Sequence, residues 1–489
     1  MVKRQDIKQK TLSSLFWKLF EKGGRAVVEL AVQIAMARLL APEYFGALAI
    51  MLVFVNVGNV IVQSGLNTAL VQAPEADGDD CSTVFWMSLA ISLVLYAVVF
   101  LAAPAVASFY AMDGLAWPLR VLALVLVVSA FNAVQVAIVS RRLEFEKIFR
   151  ATMASVLASG ILGVAAAVAG VGLWALVAQQ LSYQIANCIV LGFQVRWLPR
   201  LVFKADRARG LFSFGWKLLA SGLLDQGYQS LSDLIIGKQF SASSLGMVSQ
   251  GKKYPQAVGS MLDGAIQPVM LSAVSRVQDD VAYVKRLVRR ALKTSTFLIV
   301  PSMALFAMVA EPLVALLLGE KWLPCVPFLQ MYCFIYALLP IHTTNLQALN
   351  GMGRSDLFLR LELVKKAYGV VFLLVAAFVF KDVYVMVGTY MLTGIISTFV
   401  NAWPNRRVIG YSYAEQVRDI CPAFLLAAAS AALAWPAGLL GLPGAATILL
   451  QAAVMVGAYL GLARAFKVEA LAYLVATAGE LVGFRRARG

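Results

Sequence analysis

The chain has 489 residues, 61% of them hydrophobic and only 14% charged, with a mean hydropathy of +0.78. Soluble globular chains are roughly 45–50% apolar and about 25% charged, so this composition excludes a soluble enzyme or binding module and points to a polytopic membrane protein. The formal net charge of +16 matters through its position along the chain; no nucleic-acid partner is expected.

A spanning helix needs about 20 mostly apolar residues. By that measure the predicted spans run at 15–40, 46–72, 84–110, 118–140, 150–170, 173–195, 211–236, 244–272, 294–318, 326–349, 358–380, 383–402, 419–436 and 444–463. The expected fold class is all-α, with about 14 transmembrane helices. The start, MVKRQDIKQK, is followed by Lys18, Glu21 and Lys22, which break the apolar core that a signal peptide requires, so the N-terminus is expected to be retained. With that terminus inside and the sides alternating, the loops predicted outside hold only Arg120, Lys238, Lys321 and Lys381, while clusters such as Arg141-Arg142 and Arg289-Arg290 fall inside. The positive-inside rule therefore puts both termini in the cytoplasm. Outside connections such as GVG (170–172) and KD (381–382) are turns, too short for an extracytoplasmic catalytic domain. The inside connection RVQDDVAYVKRLVRRALK (276–293) spaces Val277, Val281, Val284, Val288 and Leu292 helically. It is expected to lie on the membrane surface, basic face toward anionic headgroups.

Cys81, Cys188, Cys325, Cys333 and Cys421 are scattered and form no CxxC, and His342 is the only histidine. Neither a disulfide framework nor a multi-histidine metal centre is expected. No P-loop is present either. DGDD (77–80) fits a solvated cap for the third span better than a metal–diphosphate site, and His342-Thr-Thr-Asn345 fits a packing cluster.

Two stretches suggest an internal repeat. LLAPEYFGALAI (39–50) matches QFSASSLGMVSQ (239–250) as a short turn between spans, and SRRLEFEKIFR (140–150) matches GRSDLFLRLELVKK (353–366) as a basic turn opening a fifth span. Six spans would then repeat in parallel orientation, about an axis along the membrane normal. The expected organisation is an N-lobe at 1–205, a C-lobe at 206–410, and a final helix pair with a basic tail at 411–489.

Polar stripes set four spans apart. In the first, Lys18, Glu21, Lys22, Arg25, Glu29 and Gln33 share one helical face, most of them three or four residues apart. In the second, Asn56, Asn59, Gln63 and Asn67 do so. Their repeat partners carry Lys217, Ser221, Asp225, Gln229 and Ser232, and Lys253, Gln256, Ser260, Asp263 and Gln267. Spans 3, 5, 6, 9, 13 and 14 show no comparable stripe. A central Arg or Lys costs about 2.5–3.5 kcal/mol on insertion scales, so such residues usually face a cavity. Four such faces can close around one hydrated chamber between two six-helix lobes. Lys18 and Lys22 also fit snorkelling to the inner interface, and the amides of span 2 also fit interhelical hydrogen bonding.

ARLLAPEYFGALAI…QSGLNTALVQ (37–72), RRLEFEKI (141–148) and QALNGMGRSDLFLRLELVKK (347–366) resemble the polysaccharide-exporter branch of the multidrug/oligosaccharidyl-lipid/polysaccharide transporter superfamily. These are Wzx-type flippases, close to the colanic-acid exporter group. The resemblance implies two lobes around a central cavity, alternating access, and an undecaprenyl-diphosphate-linked oligosaccharide as substrate. It implies that cavity cations hold the diphosphate, at positions matching Arg25, Lys253 and Lys22. Asn59, Gln63, Gln229 and Gln256 would then meet sugar hydroxyls. Glu29, Asp225 and Asp263 would steady the cations or bind a coupling H⁺ or Na⁺; no other cofactor is expected. Expected partners are membrane lipids and a polysaccharide polymerase with its co-polymerase, in a bacterial inner membrane. A drug/cation antiporter of the same superfamily shares the fold but should favour acidic, aromatic cavities. A membrane-embedded polymerase or ligase should need a larger outer loop.

Overall fold

A computed structural model of the chain describes residues 24–25, 28–63, 70–71 and 77–476; the side chains of 207, 210–215, 217–218, 262–263 and 265 also lie outside the described set. All regular structure among the described residues is helical. A helical run at 28–39 (α1) leads into α2 (Pro42–Gln63), α3 (Gly78–Phe109), α4 (Asp113–Arg142), α5 (Phe145–Val168), α6 (Leu173–Val195), α7 (Ala205–Gln239) and α8 (Ala242–Ser275). Then follow α9 (Val281–Met308), α10 (Glu320–Gly351), α11 (Ser355–Phe380), α12 (Val383–Val408), α13 (Tyr413–Leu440) and α14 (Gly444–Ala465). Among the described residues 11 of these helices are long and apolar enough to cross a membrane; the run at 28–39, α6 and α7 are the others. Outward side chains such as Ile161, Val168 and Leu449 are apolar and at least 70% exposed, as lipid-facing positions require.

The chain divides into two compact units, Met1–Gly246 and Met247–Gly489. In the first, a core of Val84, Phe85, Val134, Ile138, Leu191 and Val195 joins α3, α4 and α6. DGDD is a cap. Asp77 accepts from the backbone N–H groups of Asp79 and Asp80 while Asp80 accepts from that of Asp77, a capping box that satisfies orphan donors of α3. Asp79 turns outward and pairs with Lys204 at 2.8 Å and Arg200 at 3.5 Å, while Ser82 and Thr83 accept from the backbone of Arg200 and Lys204. The connection into α7 is thereby fastened to the start of α3.

The two turns matched by sequence touch each other. A Cβ on Gly46 would lie 1.7 Å from the carbonyl oxygen of Ala242, and one on Gly246 would lie 2.1 Å from that of Pro42. Glycine at both sites lets the backbones meet, and the contact is reciprocal, each residue answering one two hundred positions away.

In the second unit one expectation fails. Residues 281–293 do not form a separate surface helix; they are the first half of α9, continuous to Met308. Val284, Val288 and Leu292 are fully buried against Leu338, Ile341 and Ala348 of α10 and Ile409 and Tyr411. A valine stripe that finds protein has no reason to lie on lipid. The basic face meets acids: Arg289 is bidentate on Asp419 at 2.6 and 2.8 Å, Tyr411 donates to the same carboxylate at 2.8 Å, and Lys285 pairs with Glu415 at 2.9 Å.

Candidate functional site

Lys22 lies outside the described residues; Arg25 and Glu29 lie within them. Arg25 Nε donates to Glu29 Oε1 at 2.7 Å, with side chains 41% and 42% exposed. The i, i+4 spacing makes this pair local and neutralises both charges where they stand. The guanidinium also stands over the Tyr183 ring of α6, 5.4 Å from its centroid, a cation–π contact that orients its plane. Helix α1 is seated by close contacts with α5: a Cβ on Gly160 would lie 2.5 Å from Val32, and one on Gly163 would lie 3.5 Å from Met36.

On α2, Asn59 and Gln63 are half-buried and Asn56 is exposed. The Asn59 Oδ1 atom is buried and accepts no hydrogen bond among the described residues. Leaving such an acceptor unmet costs about 1–3 kcal/mol, so a water or ligand hydroxyl is a natural donor for it. Gln33, Gln135 and Gln179 present amide oxygens that likewise have no partner among the described residues. On α7, Gln229 Nε2 donates to Asp225 Oδ2 at 2.8 Å, and both side chains are exposed. The Lys217 side chain lies outside the described set.

On α8, Lys253, Gln256, Ser260 and Gln267 are all exposed, while the opposite face buries Gly251 on Phe328 and Gly259 on Tyr336. The polar stripe therefore faces away from the interior of its own unit. Asp263 sits on this helix, with its side chain outside the described set. The described contacts join Arg25 to Glu29 and Asp225 to Gln229 within the first unit; Lys253 and Gln256 belong to the second. Arg25, Asp225 and Lys253 each make further interactions besides these.

Two polar groups escaped the sequence reading. Helix α6 carries a stripe after all: Gln179, Tyr183 and Asn187, with Gln184 Nε2 donating to Ser129 of α4 at 3.0 Å. The signal was present in QQLSYQIAN (179–187), diluted by intervening leucine and isoleucine. In the second unit, Glu362 and Lys365 pair on α11, side chains 27% and 15% exposed, one turn from a Tyr368–Ser397 hydrogen bond of 2.6 Å. His342 behaves as packing: its Nδ1 meets Asn401 Nδ2 at 3.1 Å, and Asn345 exchanges hydrogen bonds with Gln416 at 2.8 and 3.0 Å.

Many apolar helices, with an Arg–Glu pair and amide-rich faces among them, make this a polytopic membrane protein. The fold is that of a solved lipid II flippase, MurJ in an inward closed conformation, with a TM-score of 0.76 over 92% of this chain and 99% of that one at 12% identity. The family model described as "Polysaccharide biosynthesis protein" matches residues 35–327, and the chain belongs to that family. Similar relatives include the succinoglycan biosynthesis transport protein ExoT of Rhizobium meliloti strain 1021, 24% identical over 339 residues and 69% of each chain. Another is the lipopolysaccharide biosynthesis protein WzxC of Escherichia coli K12, 21% identical over 443 residues and 88% of each chain.

Proposed function

We propose that the chain is a flippase that turns undecaprenyl-diphosphate-linked oligosaccharide repeat units from the inner to the outer leaflet of a bacterial cytoplasmic membrane. Export of capsule, exopolysaccharide or O-antigen precursors would follow. Membership of a polysaccharide biosynthesis family and a relative named as a transport protein support the pathway; a fold shared with a lipid flippase supports the step. In this reading two six-helix lobes rock about a hydrated chamber, the last helix pair is an appendage, and both termini are cytoplasmic.

The observation that carries the reading is Arg25, paired with Glu29 over Tyr183. A guanidinium presents planar donors that match phosphate oxygens. A diphosphate competes with Glu29 for them, and Glu29 takes the arginine back once the product leaves. Lys253 supplies a point charge from α8, with Lys22 a third candidate. Asn59, Gln63, Gln229 and Gln256 offer amides to sugar hydroxyls. Glu29, Asp225 and Asp263 would steady the cations or bind a coupling H⁺ or Na⁺. An anion leaving a negative interior gains about 2.3 kcal/mol per charge per 100 mV, so the membrane potential can drive export while an ion resets the carrier. A polymerase and co-polymerase would receive the product.

The test is polymer export in cells lacking the chromosomal copy. Arg25→Ala at normal membrane abundance should abolish export and accumulate lipid-linked repeat units, and Arg25→Lys should restore a fraction. Full export by Arg25→Ala overturns the assignment.

A further inference from the structure

A cavity in the second unit is lined by none of the polar-stripe residues. It has a volume of about 440 Å³ and lies between α9, α13 and the segment 466–470 that follows α14. Its walls are Phe297, Pro422, Leu425, Leu426 and Phe466, and its polar edge is Lys293, Arg418, Asp419 and Glu469. The charges at that edge are unequal. Asp419 is 3% exposed and already held by Arg289, Lys293 and Tyr411. Glu469 is held by Lys293 at 2.7 Å. Arg418 is exposed and makes no ion pair among the described residues, and Arg464 and Lys467 beside Phe466 are likewise exposed. A headgroup arriving at this edge meets an excess of positive charge.

We propose that this cavity binds an anionic phospholipid, its phosphate at Arg418 and one acyl chain along Leu425, Leu426 and Phe466. The dimensions agree. Arg418 and Leu425 are seven residues apart on one helix, a rise of about 10 Å, so the charge sits at the mouth and the apolar wall runs inward from it. Any lipid tail can fill an apolar slot; the choice of an anionic headgroup comes from Arg418, whose charge has no ion-pair partner among the described residues. The binding claim stands on geometry alone and borrows from the proposed function only the leaflet, which would be cytoplasmic.

Native mass spectrometry of the delipidated full chain, offered phosphatidylglycerol, phosphatidylcholine or undecaprenyl phosphate, tests it. The protein should retain phosphatidylglycerol over phosphatidylcholine, and Arg418→Gln should cut that retention about fivefold, the fold-change equivalent to ~1 kcal/mol per basic residue near an anionic surface. Phe466 is 72% exposed, so a photo-crosslinking phenylalanine analogue there should fold and should capture phosphatidylglycerol from mixed vesicles. Equal retention of the two phospholipids, an unchanged preference in Arg418→Gln, or capture of undecaprenyl phosphate in place of phosphatidylglycerol overturns the proposal. Arg25→Ala, run in parallel, should keep the lipid while losing export, so failure of the one idea is visible apart from failure of the other.

Discussion

Two helix junctions in this protein are held by opposite physics. Where the first turns of α2 and α8 meet, in the first unit, glycine at 46 and 246 lets carbonyl groups approach the opposing backbone, with bare main chain at the point of closest approach. Where α9 meets α13, in the second unit, Arg289 and Lys293 converge on the buried carboxylate of Asp419, and Tyr411 adds a hydroxyl. The first junction depends on shape, each backbone fitting where the other lacks a side chain. The second needs charge, and parting it would strand an ion where little solvent can replace its partners. A carrier that alternates must have seams that separate and seams that hold. On these contacts the glycine seam is suited to separate and the ionic seam to hold.

The largest effect is expected from breaking the ionic seam. Asp419→Ala should cost about 3 kcal/mol, the lower end of the range for removing one member of a buried pair, because Arg289 is 49% exposed and recovers some hydration. The measurement is the thermal unfolding midpoint of the purified chain. Tyr411→Phe removes one hydrogen bond and should cost only about 1–2 kcal/mol. A midpoint unchanged in Asp419→Ala would show that the cluster does not fasten α13.

That cluster also marks what the sequence could and could not tell. Apolar runs placed the helices well, because about 20 residues of hydrocarbon-compatible side chain have few other fates. The Asp77 cap was legible because its partners are local. The Arg25–Glu29 pair was legible for the same reason, being one helical turn. Residues 281–293 were misplaced because a valine stripe does not say whether protein or lipid covers it; Ile409 and Tyr411 do, from far along the chain. The α6 stripe is hidden because hydropathy averages over faces, whereas Tyr183 acts through the one face that meets Arg25. Glu362 and Lys365 stand in a basic stretch of sequence, and their burial depends on helices that the local sequence does not name.

The glycine seam gives the next effect. Gly46→Ala puts a methyl 1.7 Å from the Ala242 oxygen, far inside contact distance, so the turns must part. Overpacking of this kind costs about 2 kcal/mol. Here the readout is accessibility as well as stability. A cysteine replacing Ser243, which is half-buried, should react several-fold faster with a membrane-impermeant maleimide in the Gly46→Ala background. Gly246→Ala should reproduce the change through Pro42, since the contact is reciprocal. If neither substitution alters the labelling rate, the seam does not form in the membrane.

The smallest effect sharpens the comparison by showing which charges in the ionic seam matter. Glu469 is 81% exposed and pairs with Lys293, whose ammonium holds the carboxyl below the usual carboxylate range. A depressed acid contributes stability that is complete above its unfolded value, about pH 4.3, and that fades as pH falls through the folded value. The pair is exposed and screened, so its contribution should be about 0.5 kcal/mol or less at neutral pH. Glu469→Gln should therefore lower the unfolding midpoint slightly at pH 7, and the difference from the unaltered chain should shrink as the pH falls below the unfolded value and through the depressed folded one. Lys293 keeps its second partner, Asp419, at 3.2 Å throughout, which is why the loss is small. A difference as large at pH 3 as at pH 7 would mean that Glu469 acts through packing, and the seam would then owe less to charge than its geometry indicates.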